Sequence, residues 1–395
     1  MKEKEVVIID GARTPFGDFG KALKNFSAAD LAVIATEHLF KKLDFPKGVI
    51  DHIVFGNVIQ SSKDAIYLAR HVGLKSGVPI EVPALTVNRL CGSGFEAVIE
   101  AARQIMIGES DVVLAGGTES MSQVPYCLRD VRFGKMRLGG KPPLEDYLWE
   151  SLTDSYTDLP MALTAENIAE KDNVSRDEVD DFAYMSQKRA AKAAESGRLD
   201  DEIIEIYDPK KMKKPLKIDE HIRFDISRDD LAKLRPAFKK NGTVTAGNAS
   251  GIVDGAAAVI VASLEWAKAN GYNPIGRILS WGISGVDPSY MGLGPVPSMK
   301  KAAKNAGIAI GDFDLIEINE AFSSQFLGVA KELELDLDRT NVNGGAVAIG
   351  HPLAATGTRL IITILKELKR RRKNKGIVSA CIGGGQGTAV VMETM

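Results

Sequence analysis

The chain has few cysteines, few aromatic residues and no large excess of charge of either sign. Three cysteines in 395 residues cannot form a disulfide framework, and this indicates a reducing compartment. The net charge of −2 lacks the basic excess that is typical of a nucleic-acid-binding protein. No apolar run is long enough to span a membrane, and the first residues lack the pattern of a secretory leader. We therefore expect a cytoplasmic protein that binds neither nucleic acid nor membrane.

What the chain does have is an alternation of short apolar runs and helical patterns. Unalternating runs rich in β-branched or small residues predict buried strands at 6–9, 51–57, 111–117 and 255–262. A loop is predicted at 11–17, and helices are predicted from the capping pattern Ser27–Asp30 and at 94–106. Strands that alternate with helices predict an α/β fold on a parallel or mixed sheet.

From about residue 121 to 248 the apolar runs become sparse, and charged residues become denser. The clearest element there is a helix that begins at a capping box, Ser175 with Glu178, and ends before Gly197. Residues 210–214 form a lysine-rich run that is typical of a solvated charged surface. The alternative is contact with the anionic tail of a cofactor. We interpret this segment as an insertion that lies over the core.

Three patterns of the first third recur, in the same order, in the last third. Residues 315–319 repeat the pattern of 53–57, residues 340–343 repeat that of 86–88, and residues 377–384 repeat that of 112–117. We therefore predict two halves of one duplicated α/β unit. In such a unit Cys91 and His351 occupy equivalent positions, each ahead of a helix. The basic run 369–373 has no catalytic role in this interpretation, because cations stabilise a helix C-terminus.

Four side chains lie in glycine-rich or strand-end settings that fit acyl transfer. Cys91, at a strand-to-helix turn, is the candidate nucleophile, and the helix N-terminus is expected to lower its thiol pKa. His351 is the candidate base for that thiol. Cys381, followed by three glycines, can carry a proton, and Asn319 can hold a water molecule or polarise a carbonyl oxygen. Cys127 lacks such a setting, and we interpret it as structural. Glu320, next to Asn319, stays open between a supporting role and a direct one.

Taken together, these motifs resemble the thiolases over essentially the whole chain. The matching blocks follow one another in the family's order: 88–94, 116–122, 164–167, 247–251, 319–322, 350–352 and 381–383. The resemblance implies a layered αβαβα core with an inserted loop domain. On this basis we expect an N-terminal half at 1–120 plus 249–273, a loop domain at 121–248 and a C-terminal half at 274–395.

The resemblance also implies a mechanism and a substrate. Cys91, deprotonated by His351, would take an acyl group from a CoA thioester and pass it on in ping-pong order. Cys381 would remove or return a proton at carbon. Water on Asn319 would help His351 stabilise the enolate, and the N–H groups of Cys91 and Gly383 would hold the oxyanion.

The expected substrates are coenzyme A and acetyl-CoA or longer acyl-CoAs, with no permanently bound cofactor and no metal. The resemblance assigns pantetheine to Ser250, the adenosine phosphate to Arg223, and the acyl pocket to Met161 and Phe322. It also implies a homodimer or homotetramer.

One position departs from the pattern of many short-chain members. They carry a histidine of the CoA pocket where this chain has Pro160. Both acetyl-CoA C-acetyltransferase and 3-ketoacyl-CoA thiolase therefore stay open as functions. A ketoacyl-synthase-type condensing enzyme would have a histidine in place of Cys381, and a non-catalytic lipid-carrying relative would lack the nucleophile or Cys381. Both of these rivals rank below a thiolase, because this chain keeps the two thiols and His351.

Overall fold

The computed structural model describes residues 4–129, 131–134, 139–140 and 144–395. The strands are β1 (Val6–Arg13), β2 (Gly17–Asp18), β3 (His52–Gly56), β4 (Ala84–Val87), β5 (Val112–Glu119), β6 (Tyr126–Cys127), β7 (Glu145–Asp146), β8 (Thr153–Asp154), β9 (Leu159–Pro160), β10 (Val253–Ser263), β11 (Gly276–Gly285), β12 (Leu315–Ile318), β13 (Lys375–Ile382) and β14 (Gln386–Thr394). The α-helices are α1 (Ala28–Leu43), α2 (Leu68–Lys75), α3 (Ser93–Ile107), α4 (Tyr147–Ser151), α5 (Met161–Lys171), α6 (Arg176–Glu195), α7 (Arg228–Ala232), α8 (Leu264–Ala269), α9 (Pro295–Ala306), α10 (Ser323–Leu333), α11 (Ala346–Ile349) and α12 (Leu353–Arg371).

One sheet of ten strands runs through both halves of the chain. Its order is β12-β13-β14-β11-β1-β10-β5-β3-β4, with β2 added beside β10. The two halves meet where β1 pairs with β11 over only two residue pairs, Val7 with Arg277 and Ile8 with Gly276. The sheet is mixed, because β3 pairs in parallel with β4 and β5, as β12 does with β13, while the other pairs are antiparallel.

The pairing repeats in the two halves, as the recurring sequence patterns predict. In the first half the order is β4-β3-β5-β10-β1, and in the second Thr340, β12, β13, β14 and β11 follow in the same way. The equivalent of β4 is reduced to one parallel bridge between Ile316 and Thr340. The duplication places Cys91 and His351 at corresponding points, each after the outermost strand position and before a helix.

Helices divide the core into layers around the two half-sheets. One apolar cluster joins α1 and α2 to the outer face of the first half-sheet, and another joins α9 and α10 to that of the second. The central cluster holds α3 and α12 between the two half-sheets. Strands covered on both faces explain the unalternating runs, since all eleven residues of β10 are buried. The layers therefore follow the αβαβα order.

One local prediction is wrong: β1 continues through residues 11–13, where a loop is expected from the glycine and proline content. The pairing of β1 with β10 shifts register between Ile8 and Gly11. The strand then continues, and Arg13 pairs with Ala257. The fully buried guanidinium of Arg13 is held by Glu202 at 2.7 Å and by Asp219 at 2.7 Å. These partners lie 189 and 206 positions away, so the local sequence carries no sign of them.

The segment between residues 121 and 248 contains helices and two-residue strands that pack over the core. The helix α6 begins at Ser175 with the predicted capping box and ends before Gly197. The expected division of the chain at residues 120, 248 and 273 stays a prediction. Within the ranges that the structure describes, no helix is long and apolar enough to cross a membrane.

Candidate active site

The Cys91 side chain is presented by a tight turn between β4 and α3. Leu90 has a φ of +45°, a left-handed conformation that is strained for this residue. The turn is stabilised by Asn88, whose Oδ1 accepts from the Leu90 N–H at 2.9 Å, and by Ser93, whose hydroxyl donates to the Leu90 carbonyl at 2.7 Å. Because the helix begins at Ser93, Cys91 lies directly ahead of its first turn.

His351 is held in one orientation by partners on both ring nitrogens. Nδ1 lies 2.6 Å from the Thr356 hydroxyl, which in turn donates to the Pro352 carbonyl at 3.1 Å. Since that hydroxyl has one proton, His351 Nδ1–H is the donor and Nε2 carries the lone pair. Asn319 Nδ2 lies 3.3 Å from Nε2 and donates to it. The imidazole thus presents its basic nitrogen next to Asn319.

Close helix packing brings the nucleophile turn and the histidine loop together. A Cβ at Gly94 would lie 2.5 Å from the Ala354 carbonyl oxygen, and one at Gly357 would overlap the Phe95 backbone nitrogen. Larger residues would therefore separate α3 from α12. The side chains of Cys91 and Leu353, two residues after His351, share one apolar cluster as a result.

Cys381 and Gly383 approach the same point from the end of β13. Cys381 is 1% exposed and packs with Met291 and Ala321. The Gly383 backbone N–H lies near the Cys91 sulfur, and Cys91 is close enough to Cys381 for its negative charge to act on the Cys381 thiol. Gly384, with a φ of +78°, allows the backbone to turn there.

Burial controls the protonation of all three titratable groups. Desolvation raises the pKa of Cys91 to about 11, although the Gly383 and Cys91 N–H groups oppose the shift. The predicted lowering of this pKa by the helix N-terminus is therefore wrong, because loss of water outweighs it. Desolvation, together with the Cys91 charge, also raises the pKa of Cys381. Desolvation and the nearby Arg359 lower the pKa of His351 to about 3, so the imidazole is neutral at pH 7.

Asn319 and Glu320 follow β12 and are buried. The Asn319 side-chain oxygen has no hydrogen-bond partner among the described residues. A buried acceptor in this state is a place for a water or a substrate atom. Glu320 accepts hydrogen bonds from Ser186 at 2.7 Å and from Asn341 at 2.8 Å. Neither partner belongs to the predicted catalytic residues.

Glu119 is a supporting residue that the sequence does not reveal. Its fully buried carboxylate accepts from the N–H groups of Val58, Ile59 and Ala354 at 3.0–3.2 Å. Val58 in turn accepts from the Asn88 side chain at 3.0 Å. One carboxylate therefore ties the loop behind the Cys91 turn to the helix that follows His351. Burial raises its pKa to about 7, against the effect of these N–H donors.

The residues expected to contact CoA divide into two groups. Met161 and Phe322 pack beside Cys381, and Ser250 lies next to Phe322, since its N–H donates to Ala321 at 3.0 Å. Arg223 lies farther along the surface and lines a cavity of about 410 Å³ with Gly247. Gly247 is three residues from Ser250, so the two groups adjoin along one stretch of chain.

Pro160 occupies the expected place at the start of α5, directly before Met161. Cys127 lies in β6, is partly exposed and pairs with Glu145 of β7. In the described ranges, no three histidine, cysteine, aspartate or glutamate residues are grouped closely enough to hold a metal ion.

Comparisons with known proteins cover the whole length of the chain. Residues 6–265 match the family model of the thiolase N-terminal domain, and residues 272–394 match that of the thiolase C-terminal domain. The human mitochondrial 3-ketoacyl-CoA thiolase is 50% identical over 390 residues, which are 98% of each chain. The acetyl-CoA acetyltransferase of Syntrophomonas wolfei is 43% identical over 99% of this chain and 100% of its own. The crystal structure of the human mitochondrial enzyme in complex with CoA has a TM-score of 0.96 at 49% identity, covering 99% of this chain and 98% of that one.

Proposed function

The chain belongs to the thiolase family and is an acyl-CoA C-acyltransferase, and we propose that it works through a thioester on Cys91. The overall reaction is acetyl-CoA plus acyl-CoA in equilibrium with 3-ketoacyl-CoA plus CoA. The observations that carry this proposal are the neighbouring thiols of Cys91 and Cys381 and the contact of the neutral His351 imidazole with the Asn319 carboxamide. Leu353, two residues after His351, packs beside Cys91, and Ala321, two residues after Asn319, packs beside Cys381. Coenzyme A enters and leaves as substrate.

In the first half-reaction Cys91 attacks the substrate carbonyl while its proton passes to His351 Nε2. The raised thiol pKa keeps Cys91 protonated in the empty site, so a base is required. The Gly383 N–H lies near the sulfur, and with the Cys91 N–H it stabilises the oxyanion that forms on the carbonyl. These donors act on charge that develops only during the reaction.

Cleavage of a 3-ketoacyl-CoA then breaks the bond between the second and third carbons. The electron pair passes to acetyl-CoA as an enolate, which the Cys381 thiol protonates at carbon. A water on the free oxygen of Asn319, together with His351, stabilises the enolate oxygen. The CoA thiol finally takes the acyl group from Cys91. Synthesis runs through the same steps in reverse.

We propose 3-ketoacyl-CoAs longer than acetoacetyl-CoA as substrates, with a role in fatty acid β-oxidation. The support is Pro160, which removes a polar histidine from the CoA pocket beside Met161, together with the name of the relative that is 50% identical. Met161 and Phe322 line the acyl site, Ser250 binds pantetheine, and Arg223 binds the adenosine phosphate end. Acetyl-CoA C-acetyltransferase is the second candidate, because relatives with that name are also similar.

The test is CoA-dependent cleavage of acetoacetyl-CoA beside 3-ketohexanoyl-CoA and 3-ketodecanoyl-CoA by purified protein. Comparable rates on the longer substrates support the 3-ketoacyl-CoA thiolase. Activity on acetoacetyl-CoA alone identifies an acetyltransferase instead. The chain retains both thiols and His351, which argues against a ketoacyl-synthase-type enzyme and against a non-catalytic lipid carrier. If the protein cleaves none of the three substrates, this argument fails.

We also propose a cytoplasmic homodimer that can pair into a homotetramer. The strand β4 is the last in the sheet order, and its Leu85 is 40% exposed. An apolar edge strand of this kind is suited to pairing with a second copy. Light scattering on the purified protein gives the mass in solution. A monomeric mass would contradict the proposed dimer. The cytoplasmic location is tested separately, by imaging the tagged chain in cells.

A further inference from the structure

The side chain of Arg89 joins the turn that carries the nucleophile to the second half of the chain. Its Nε donates to Glu96 of α3 at 2.8 Å, and its Nη1 donates to the side-chain oxygen of Gln386, the first residue of β14, at 3.2 Å. Arg89 and Gln386 are 297 positions apart, so no local pattern reveals this contact. One guanidinium therefore binds an acceptor from each half of the molecule.

Gln386 belongs to the hairpin that carries two other groups of the active site. In the pairing of β13 with β14, Gln386 lies opposite Ile382, and Gly387 lies opposite Cys381. Gly383 is in the turn between these two strands. The position of Gln386 is therefore fixed relative to the second thiol and to the Gly383 N–H.

The turn on the other side of this contact is strained and depends on its surroundings. Leu90, between Arg89 and Cys91, has a φ of +45°. A strained backbone conformation persists only where neighbouring groups hold it. The Arg89 N–H donates to the Ser93 hydroxyl at 2.8 Å, and the Arg89 carbonyl accepts from the Gly92 N–H at 2.9 Å. The backbone of Arg89 thus supports the turn from within, while its side chain connects the turn to the hairpin.

The other side-chain packing between the turn and the hairpin is apolar. A Cβ at Gly92 would lie 2.5 Å from Ile382 Cδ1, and one at Gly383 would lie 3.4 Å from Leu90 Cδ1. Such packing brings the two loops together, but the hydrophobic effect has no direction. A hydrogen bond does, because it weakens steeply when its angle changes. The bond from Arg89 therefore fixes the relative position of the two loops in a way that the apolar contacts do not.

Neutralising the buried Glu96 carboxylate does not require Arg89. Arg103 Nη1 donates to the other oxygen of Glu96 at 2.8 Å, so that carboxylate keeps a cationic partner without Arg89. What Arg103 does not provide is the contact with Gln386. The planar, forked guanidinium of Arg89 binds Glu96 and Gln386 at once, which a lysine ammonium at the end of a flexible chain does not reproduce.

We propose that Arg89 is a positioning residue for acyl transfer, which holds the Cys91 turn against the hairpin so that the Cys91 and Gly383 N–H groups converge on the same oxyanion. This inference rests on the proposed function. Arg89 acts through these backbone groups and does not touch the substrate. Its loss lets the two donors move apart, and that weakens a contact needed in the transition state more than in the ground state.

The experiment measures the first turnover from acetyl-CoA by rapid quench, at several substrate concentrations. Arg89→Met should slow acylation at saturation about 5- to 50-fold, somewhat less than the roughly 100-fold that a full 1 Å misplacement can cost. The acetyl-CoA concentration at half-saturation should stay near that of the wild type. Arg89→Lys should also be slow, because charge alone does not replace the fork. A wild-type rate in either variant would overturn the inference.

The matched control is Arg103→Met, which removes a cation from the same carboxylate but leaves the contact with Gln386. It should acylate at the wild-type rate, and slowing equal to that of Arg89→Met would overturn the inference. Gln386→Leu breaks the contact from the other side and keeps the pair of Arg89 with Glu96, so it tests the idea even if Arg89→Met does not fold.

The double variant with Arg89→Met and Gln386→Leu distinguishes positioning from a general loss of stability. Because both changes remove one contact, the double variant should be no slower than the slower single variant. Multiplied effects would refute the shared role. Failure of the proposed function gives a different result, because the wild type itself would then form no acyl-enzyme.

Discussion

Replacing Thr356 with valine tests how the histidine is made into a base. The substitution keeps the shape of the side chain but removes the oxygen that accepts from His351 Nδ1–H at 2.6 Å. Thr356 is fully buried, so water cannot reach the orphaned N–H. The hydrogen bond grows stronger once the imidazole takes the proton of Cys91, because its donor is then charged. The variant therefore slows acyl transfer more than it weakens substrate binding.

The size of the effect follows from the difference between two hydrogen bonds. A neutral one contributes about 1 kcal/mol and a charged one about 1.5–3 kcal/mol, so the transition state loses about 0.5–2 kcal/mol more than the ground state. At 1.36 kcal/mol per factor of ten, acylation slows by about 2- to 30-fold. The assay is rapid-quench measurement of CoA release during the first turnover from acetyl-CoA.

Two further variants separate this effect from a loss of stability. Thr363→Val removes a buried hydrogen bond to Glu202, 3.1 Å long, from the same helix but leaves His351 untouched. It should lower the melting temperature without slowing acylation, whereas Thr356→Ser should restore the rate. If Thr356→Val acylates at the wild-type rate while folded, the hydroxyl does not orient the base.

The remaining predictions concern the thiols, the buried carboxylate and acid stability. Cys91→Ser should fold but form no acyl-enzyme, as mass spectrometry after incubation with acetyl-CoA will show, and an acylated variant would exclude Cys91 as the nucleophile. Cys381→Ser should still become acylated, while cleavage of 3-ketoacyl-CoA collapses, because no thiol is left to return the proton at carbon; unimpaired cleavage would remove Cys381 from the mechanism. Glu119→Gln places an NH₂ group against backbone N–H donors, so unfolding should become easier by about 1–3 kcal/mol and acylation slower; a melting curve and a rapid-quench trace that both match the wild type would contradict this role. Burial alone would raise the pKa of Glu367, but hydrogen bonds from Arg370 and Arg371 lower it to about 2. This stabilisation is present above about pH 4.5 and disappears as the pH falls towards 2. The wild type should therefore exceed Glu367→Gln in unfolding free energy at pH 7, by an amount that shrinks on acidification, and a constant difference would show that ionisation of Glu367 does not matter.

The strands and the duplication could be predicted because their signals are local. Buried strands appear as apolar runs, and the predicted runs at 111–117 and 255–262 lie within β5 and β10 apart from residue 111. A repeated order of such runs is a property of the sequence, and the sheet pairs them in the same order in both halves. The capping boxes at Ser27 and Ser175 depend on residues three positions apart, and both are present.

The types of residue needed for the chemistry were also evident in the sequence. Cys91, His351 and Cys381 stand in glycine-rich motifs, and the fold places the two thiols near each other and packs Leu353, two residues after His351, beside Cys91. What the sequence could not give was their protonation. The helix N-terminus near Cys91 is a local feature, but the loss of water that raises its pKa is produced by elements from both halves of the chain.

The supporting contacts were decided by tertiary structure alone, because they join residues that are far apart along the chain. Glu119 binds Ala354 across 235 positions, and Arg13 binds Asp219 across 206. Likewise, Arg89 binds Gln386 across 297 positions. The sequence determined which chemical groups and which strands the protein has. Only the packing of the two half-sheets against shared helices decided which of those groups meet, which lose water and which keep their charge.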